Sequence, residues 1–283
     1  MTTALMPSVT SRPSLSDRLS GPVRDVWSLT RRNLIHIARE PMQLSDVTVQ
    51  PILFTLLFIY VFGSGIPIAG GSYKDFALAG LLLMNITTST MGTAVGLCTD
   101  LNEGAIDRFR TLPMWRAAVL VGRSIADVMS AAICVSIVAI TGLVIGWRPG
   151  AGTGVLSVVG GFGIALLFAY SLSWMAACFG LNAKSAESAQ SFGFIFLFPL
   201  AFISNALVPT GGMPGWLQAI ANWNPVSAVT AAARHLFGNP NPSAAVNAWP
   251  MQHPVEAALL WSLAIVAICA PLAAYLFRKR ITE

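Results

Sequence analysis

Asp100-Leu101-Asn102-Glu103-Gly104-Ala105-Ile106-Asp107-Arg108-Phe109-Arg110-Thr111-Leu112-Pro113-Met114 is a charged island between two long apolar runs. A chain that crosses a membrane and returns shows this pattern, with the charges left in water. The spacing predicts one short helix with Asn102 as its cap. Glu103 and Asp107 near its start and Arg108 and Arg110 further on suit the helix dipole. Ile106, Phe109 and Pro113 would share a face. The island is either a handle that fits a groove in a soluble partner or a solvated interfacial loop.

Working outward, the chain is 55% apolar and 10% charged over 283 residues, with a mean hydropathy of +0.67. Soluble domains carry about 25% charged residues, so the composition indicates an all-α integral membrane protein. A bilayer-crossing helix needs about 20 mostly apolar residues. Six spans meet that test, at about Val47–Ile68, Phe76–Cys98, Arg123–Gly146, Val155–Gly180, Ala189–Val208 and Val255–Phe277. Gln50 and Pro51 weaken the start of the first. Gly160, Gly161 and Gly163 suit close helix packing in the fourth. Pro199 and Pro271 predict kinks in the fifth and sixth.

Residues 1–20 are rich in Ser, Thr and Pro without an apolar run. They read as a disordered tail rather than a signal peptide. From Arg24 to Arg39, Val23, Val26, Trp27, Thr30, Leu34, Ile37 and Ala38 recur at helical spacing, with the arginines mostly off that stripe. This is an amphipathic helix for the membrane interface, ended at Glu40-Pro41. It is either a plain anchor or a lever that also touches a cytoplasmic partner. Of the seventeen Lys and Arg, only Lys74, Arg148 and Arg234 fall outside the N-terminal segment, the even-numbered loops and the C-terminal tail. The positive-inside rule then places both termini in the cytoplasm. Between the last two spans, Trp216, Trp223 and Trp249 favour the opposite interface. Pro214 and Pro225 there predict two short helices dipping into or lying on the outer leaflet.

The polar content of the spans is sparse. Asn85, Thr88, Ser89, Gly92, Thr93 and Gly96 form one small, polar stripe at i, i+3, i+4, i+7, i+8 and i+11. It is either a helix-packing seam or a cavity wall. Ser204 and Asn205 add a polar step late in the fifth span. Phe192, Phe194, Phe196, Phe198 and Phe202 crowd the same span, as lipid or helix contacts or as part of a drug-binding cage. The four cysteines, Cys98, Cys134, Cys178 and Cys269, lie in or at the ends of spans and read as small apolar packing residues. No C-x-x-C occurs, so a metal site is not expected.

Energy has to come from elsewhere. The nearest approach to a nucleotide-binding loop, Gly65-Ile66-Pro67-Ile68-Ala69-Gly70-Gly71-Ser72, has Gly71 where the lysine belongs. No span carries an ionisable residue at its centre, where insertion costs about 2.5–3.5 kcal/mol. Asp46, Asp127 and Glu256 sit near span ends. A proton relay, paired aspartates for a diphosphate and an intramembrane Ser/His pair are all poorly supported, so the chain is not expected to be an enzyme.

The segment Glu103 to Pro113 resembles the cytoplasmic coupling segment of type 2 ABC exporter permeases. Ser204-Asn205-Ala206-Leu207-Val208-Pro209, Met213-Pro214-Gly215-Trp216-Leu217-Gln218, Asn224-Pro225-Val226 and Ala233-Arg234 are similar to daunorubicin-resistance-type permeases. So are Glu40-Pro41-Met42-Gln43-Leu44-Ser45-Asp46, Gln50-Pro51 and Phe58-Ile59-Tyr60-Val61-Phe62-Gly63. The resemblance implies that residues 21–283 form an ABC-2 type transmembrane domain. It implies six spans, an N-terminal interfacial helix, a short coupling helix and short outer-leaflet helices before the last span. It also implies a separate ABC ATPase subunit carrying ATP and magnesium, and a second permease copy or related permease. Glu103, Gly104, Asp107, Arg108, Arg110 and Pro113 would then dock in the ATPase. Leu101-Asn102 departs from the more charged residues of many relatives.

The expected function is export of an amphipathic drug, antibiotic or lipid across a bacterial cytoplasmic membrane, with membrane lipid but no nucleic acid as partner. Asn85, Thr88, Ser89, Thr93, Ser204 and Asn205 are the candidate cavity residues. The alternatives are an ATP-independent carrier or channel, and a membrane scaffold.

Overall fold

The computed structural model describes residues 24, 26–33, 35, 39, 41–63, 65–68, 70–102 and 118–282. No strand occurs among the described residues. Every described position in 24–39 is helical and is called α1. It is followed by α2 (Pro41–Leu57), α3 (Tyr73–Asn102), α4 (Ala118–Ile145), α5 (Val155–Asn182) and α6 (Ala186–Phe202). Then come α7 (Gly215–Trp223), α8 (Pro225–Phe237), α9 (Trp249–Gln252) and α10 (Pro254–Thr282).

Five segments are long and apolar enough to cross a membrane: Leu44–Phe62, Tyr73–Asn102, Val119–Ile145, Val155–Asn182 and Pro254–Arg280. The first starts and stops earlier than the sequence predicted. α2 runs through Pro51 into a widened turn at Phe58–Phe62, and Gly63, Gly65 and Pro67 follow, all poor helix formers. α4 begins before Arg123, so that arginine stands within the helix rather than at a loop edge. α3 is a turn longer at its C-terminal end than predicted. Asn102 is therefore the last described residue of α3, and the short helix expected after it lies outside the described residues. At about 1.5 Å per residue its 30 residues exceed the ~30 Å hydrocarbon layer.

α6 holds 17 residues and ends at Phe202, six residues short of the predicted boundary. Its start is fixed by a capping box in which Ser185 and Ser188 exchange backbone and side-chain bonds. Past Pro199 the chain leaves the helix, and Asn224 takes over its last carbonyls. The Asn224 amide donates to the Leu200 and Ile203 carbonyls, while its Oδ1 accepts from Val226 N–H at 2.8 Å. One side chain thus caps the end of α6 and the start of α8.

α3 is the central helix. Two thirds of its apolar window is buried (67%) against 17% for the peripheral α2. Leu78, Leu82 and Ile86 of α3 meet Cys134 and Val138 of α4, Phe168 and Leu172 of α5, Leu197 of α6 and Val229 and Phe237 of α8. Glycine permits the closest approaches. Gly180 faces the backbone of Ala94, and Gly161 faces the Phe237 ring. Of the three glycines singled out in α5, Gly163 has open space around it. Pro199 and Pro271 both lie inside helices. The outward apolar surface is broad, including Val144, Val155 and Leu156, as expected where lipid is the solvent.

The two ends of the bundle differ. Trp216, Ile220 and Trp223 are exposed along one side of α7, with Trp249 nearby in sequence on α9. α8 is buried almost throughout, from Val226 to Arg234. Only α7 therefore lies on the surface, and α8 plugs into the bundle.

Candidate coupling and transport site

At the end opposite the tryptophans, α3 finishes and α4 begins. Glu103, Gly104, Asp107, Arg108, Arg110 and Pro113 lie between them, outside the described residues. Their flanks are described, and they form a charged knot. Asp100 in the last turn of α3 pairs with Arg123 of α4 at 3.4 Å and with Arg32 of α1 at 3.1 Å. Arg123 also approaches Asp127 at 3.8 Å and donates to the Gly92 carbonyl at 3.3 Å. Ser173 of α5 donates to Asp127 at 2.6 Å, and Thr93 stands beside the same carboxylate. Thr30 donates to the Gly122 carbonyl at 3.1 Å, a second tie between α1 and α4.

The buried side of α1 carries Leu29 and Thr30, with Trp27 exposed. Thr30 was on the predicted stripe and Leu29 was not. Leu29 is buried because Gly122 leaves room for it against α4. The α5–α6 turn at the same end is held from two sides. Arg280 donates to the Leu181 and Ala183 carbonyls at 3.0 and 3.1 Å. Asn102 donates to the Lys184 carbonyl at 3.4 Å.

The polar stripe of α3 divides. Asn85 and Thr93 are buried, Thr88 is half-buried, and Ser89 and Gly92 face outward. Asn85 donates to the Leu81 carbonyl at 2.8 Å, and Thr88 to Met84 at 3.0 Å. Such bonds to the preceding turn let a polar side chain sit on a membrane helix without leaving its donor unpaired. Phe194, Phe198 and Phe202 form a stacked, outward-facing column on α6, with ring centres 4.7 and 4.2 Å apart.

Ser204 and Asn205 are buried in a different place, at the junction of α6 with α8. Asn205 N–H donates to Ser227 Oγ at 2.9 Å, and its side-chain amide donates to Ser243 Oγ at 3.2 Å. Arg234 is fully buried there. Its Nη2 donates to the carbonyls of Asn205 at 2.9 Å and Ala206 at 2.8 Å, and its Nε to that of Phe76 at 2.9 Å. Sequence reasoning counted Arg234 as an exterior charge and missed this role. The charged knot was also missed. Its one signal was acidic residues at the ends of predicted spans with arginines entering the next.

Among the described residues no group of three or more His, Cys, Asp or Glu gathers as a metal site would. The arrangement ties the described ends of α3 and α4 to α1 and α5, beside a polar strip on the central helix.

Residues 24–237 match the ABC-2 type transporter family. The chain is 33% identical over 273 residues to a daunorubicin resistance ABC transporter permease of Streptomyces coeruleorubidus, covering 96% of this chain and 91% of that protein. It is 24% identical over 256 residues to a probable doxorubicin resistance ABC transporter permease of Mycobacterium tuberculosis H37Rv, covering 90% and 88%. A probable multidrug ABC transporter permease of Escherichia coli K12 is 26% identical over 170 residues, 58% of this chain and 44% of that protein. The matched residues 24–237 span the charged knot, the central helix and Arg234, and the chain belongs to the ABC-2 type transporter family as a membrane permease.

Proposed function

We propose that this permease exports an amphipathic drug, antibiotic or lipid from a bacterial cell, driven by a separate ABC ATPase that holds ATP and magnesium. The observation that carries the reading is the full-length likeness to a daunorubicin resistance permease. In this account α6 is a sixth span, since 17 residues are the shortest helix that crosses a bilayer. Both termini are cytoplasmic. The grouping of Arg32, Arg123, Lys184 and Arg280 at one end and of the exposed tryptophans at the other supports that orientation.

Glu103, Gly104, Asp107, Arg108, Arg110 and Pro113 dock in the ATPase. Its closure on ATP displaces that segment and reorients the helices. A second permease, either a copy of this chain or a related one, completes the pathway. The half-buried Thr88 with the exposed Ser89 and Gly92 lines it, and the buried Asn85 and Thr93 support it. Ser204 and Asn205 act at its far end by holding the α6–α8 junction. Transport follows only if the inward- and outward-open forms bind cargo differently.

Co-expression of this chain with a candidate ATPase, purification through a tag on the permease and assay of ATP hydrolysis in lipid tests the reading. The ATPase should co-purify with wild type and be lost with Glu103→Arg. Retention by Glu103→Arg would move the docking site elsewhere.

A further inference from the structure

Arg123 uses all three corners of its guanidinium on different partners. Nη1 reaches Asp100, Nη2 reaches the Gly92 carbonyl, and Nε faces Asp127. Asp100 and Gly92 are two turns apart on α3, so the side chain lies along that helix. It crosses Gly96, where a Cβ would overlap the guanidinium. The planar fork of arginine suits this bolt; a lysine is a single point charge and does not reproduce it.

The bolt continues in both directions. Asp127 passes it to α5 through Ser173, and Asp100 passes it to α1 through Arg32. α1 is tied to α4 again by Thr30 and Gly122. Arg123 and Asp127 are each 19% exposed and Asp100 27%. Partly exposed ion pairs of this kind add little to stability, but interlocked they fix the relative placement of four helices.

We infer that Asp100 and Arg123 are positioning residues that fasten α1, α3, α4 and α5 into one unit at the root of residues 103–117. A push on that segment then moves the four helices together instead of splaying α3 from α4. The inference rests on the proposed docking of that segment in the ATPase.

Spin labels at Ser28 on α1 and at Leu263 on α10, a helix outside the fastened unit, both exposed, test it. The inter-label distance is read in the permease–ATPase complex with and without a non-hydrolysable ATP analogue. Wild type should show a distance shift on analogue binding. Arg123→Gln should retain the ATPase but lose most of the shifted population, between about fivefold and a hundredfold. Arg123→Lys should behave like Arg123→Gln, because the fork rather than the charge is needed. Should Arg123→Gln fail to fold, Gly96→Ala keeps every charge and carries the same expectation. Variants that shift as wild type does would overturn the linkage while leaving docking intact. A wild-type permease that binds no ATPase would remove the docking reading and the linkage with it.

Discussion

The Arg234 guanidinium lies 3.6 Å from the centre of the Phe76 ring while its Nε donates to the carbonyl of the same residue. A charge inside a membrane protein is costly unless its donors are used. Here backbone carbonyls receive Nε and Nη2 and an aromatic face lies against the group, while the buried Nη1 has no hydrogen-bond partner among the described residues. The Asn205 and Ala206 carbonyls belong to a non-helical stretch, so Arg234 supplies the partners that a helix would have given them.

Arg234→Met should therefore be destabilising out of proportion to its apolar fit. Each carbonyl left without a donor costs about 1–3 kcal/mol. Thermal unfolding in detergent should show a markedly lower midpoint for Arg234→Met, whereas Arg148→Met, on an exposed residue, should stay near wild type.

Gly80 makes the same junction possible from the other side. A Cβ at this position would overlap the Ala206 backbone carbonyl, which is not the end of a flexible side chain and cannot swing away. Gly80→Ala should cost at least the ~1–3 kcal/mol typical of overpacking. Gly211→Ala, with open space around it, is the matched control. Equal stability of the two variants would refute the close approach.

Asn224→Ala removes a cap from two helices at once. A single lost N-cap costs about 0.5–2 kcal/mol, and the Leu200 and Ile203 carbonyls lose their side-chain donor as well. Asn224→Asp keeps the acceptor for Val226 N–H but loses the amide donor. It should fall between wild type and alanine in a stability titration.

On the function side, Arg108→Glu with Arg110→Glu should uncouple transport from hydrolysis without unfolding the spans. Normal export by that double variant would mean that the docking segment is wrongly assigned. Thr88→Leu with Ser89→Leu should alter cargo preference, read as the ratio of export rates for two drugs. An unchanged ratio with loss of permease pairing would instead make the strip a packing seam.

The sequence was legible where the rule is one-dimensional. Apolar run length located the long helices to within about six residues at each end, and charge grouping matched the charged and tryptophan-bearing ends. It failed where a side chain acts across distance. Arg234 and Phe76 are separated by 158 positions, and Arg32 and Asp100 by 68, so no local spacing links them. The apolar run stops at Cys98, yet α3 extends a further turn through the polar Thr99-Asp100-Leu101-Asn102, because Asp100 and Asn102 find partners on neighbouring elements. Ser204 and Asn205 looked like late span residues because Pro199 alone does not say where the helix stops. Asn224, twenty residues further on, supplies that end.

ATP-driven accumulation of an amphipathic drug, drawn from a panel of such compounds, in inside-out vesicles holding this permease and the candidate ATPase tests the central claim most directly. The account predicts accumulation that requires ATP and the ATPase and is abolished by Glu103→Arg. Accumulation by the permease alone under a proton or sodium gradient, unaffected by Glu103→Arg, would contradict it.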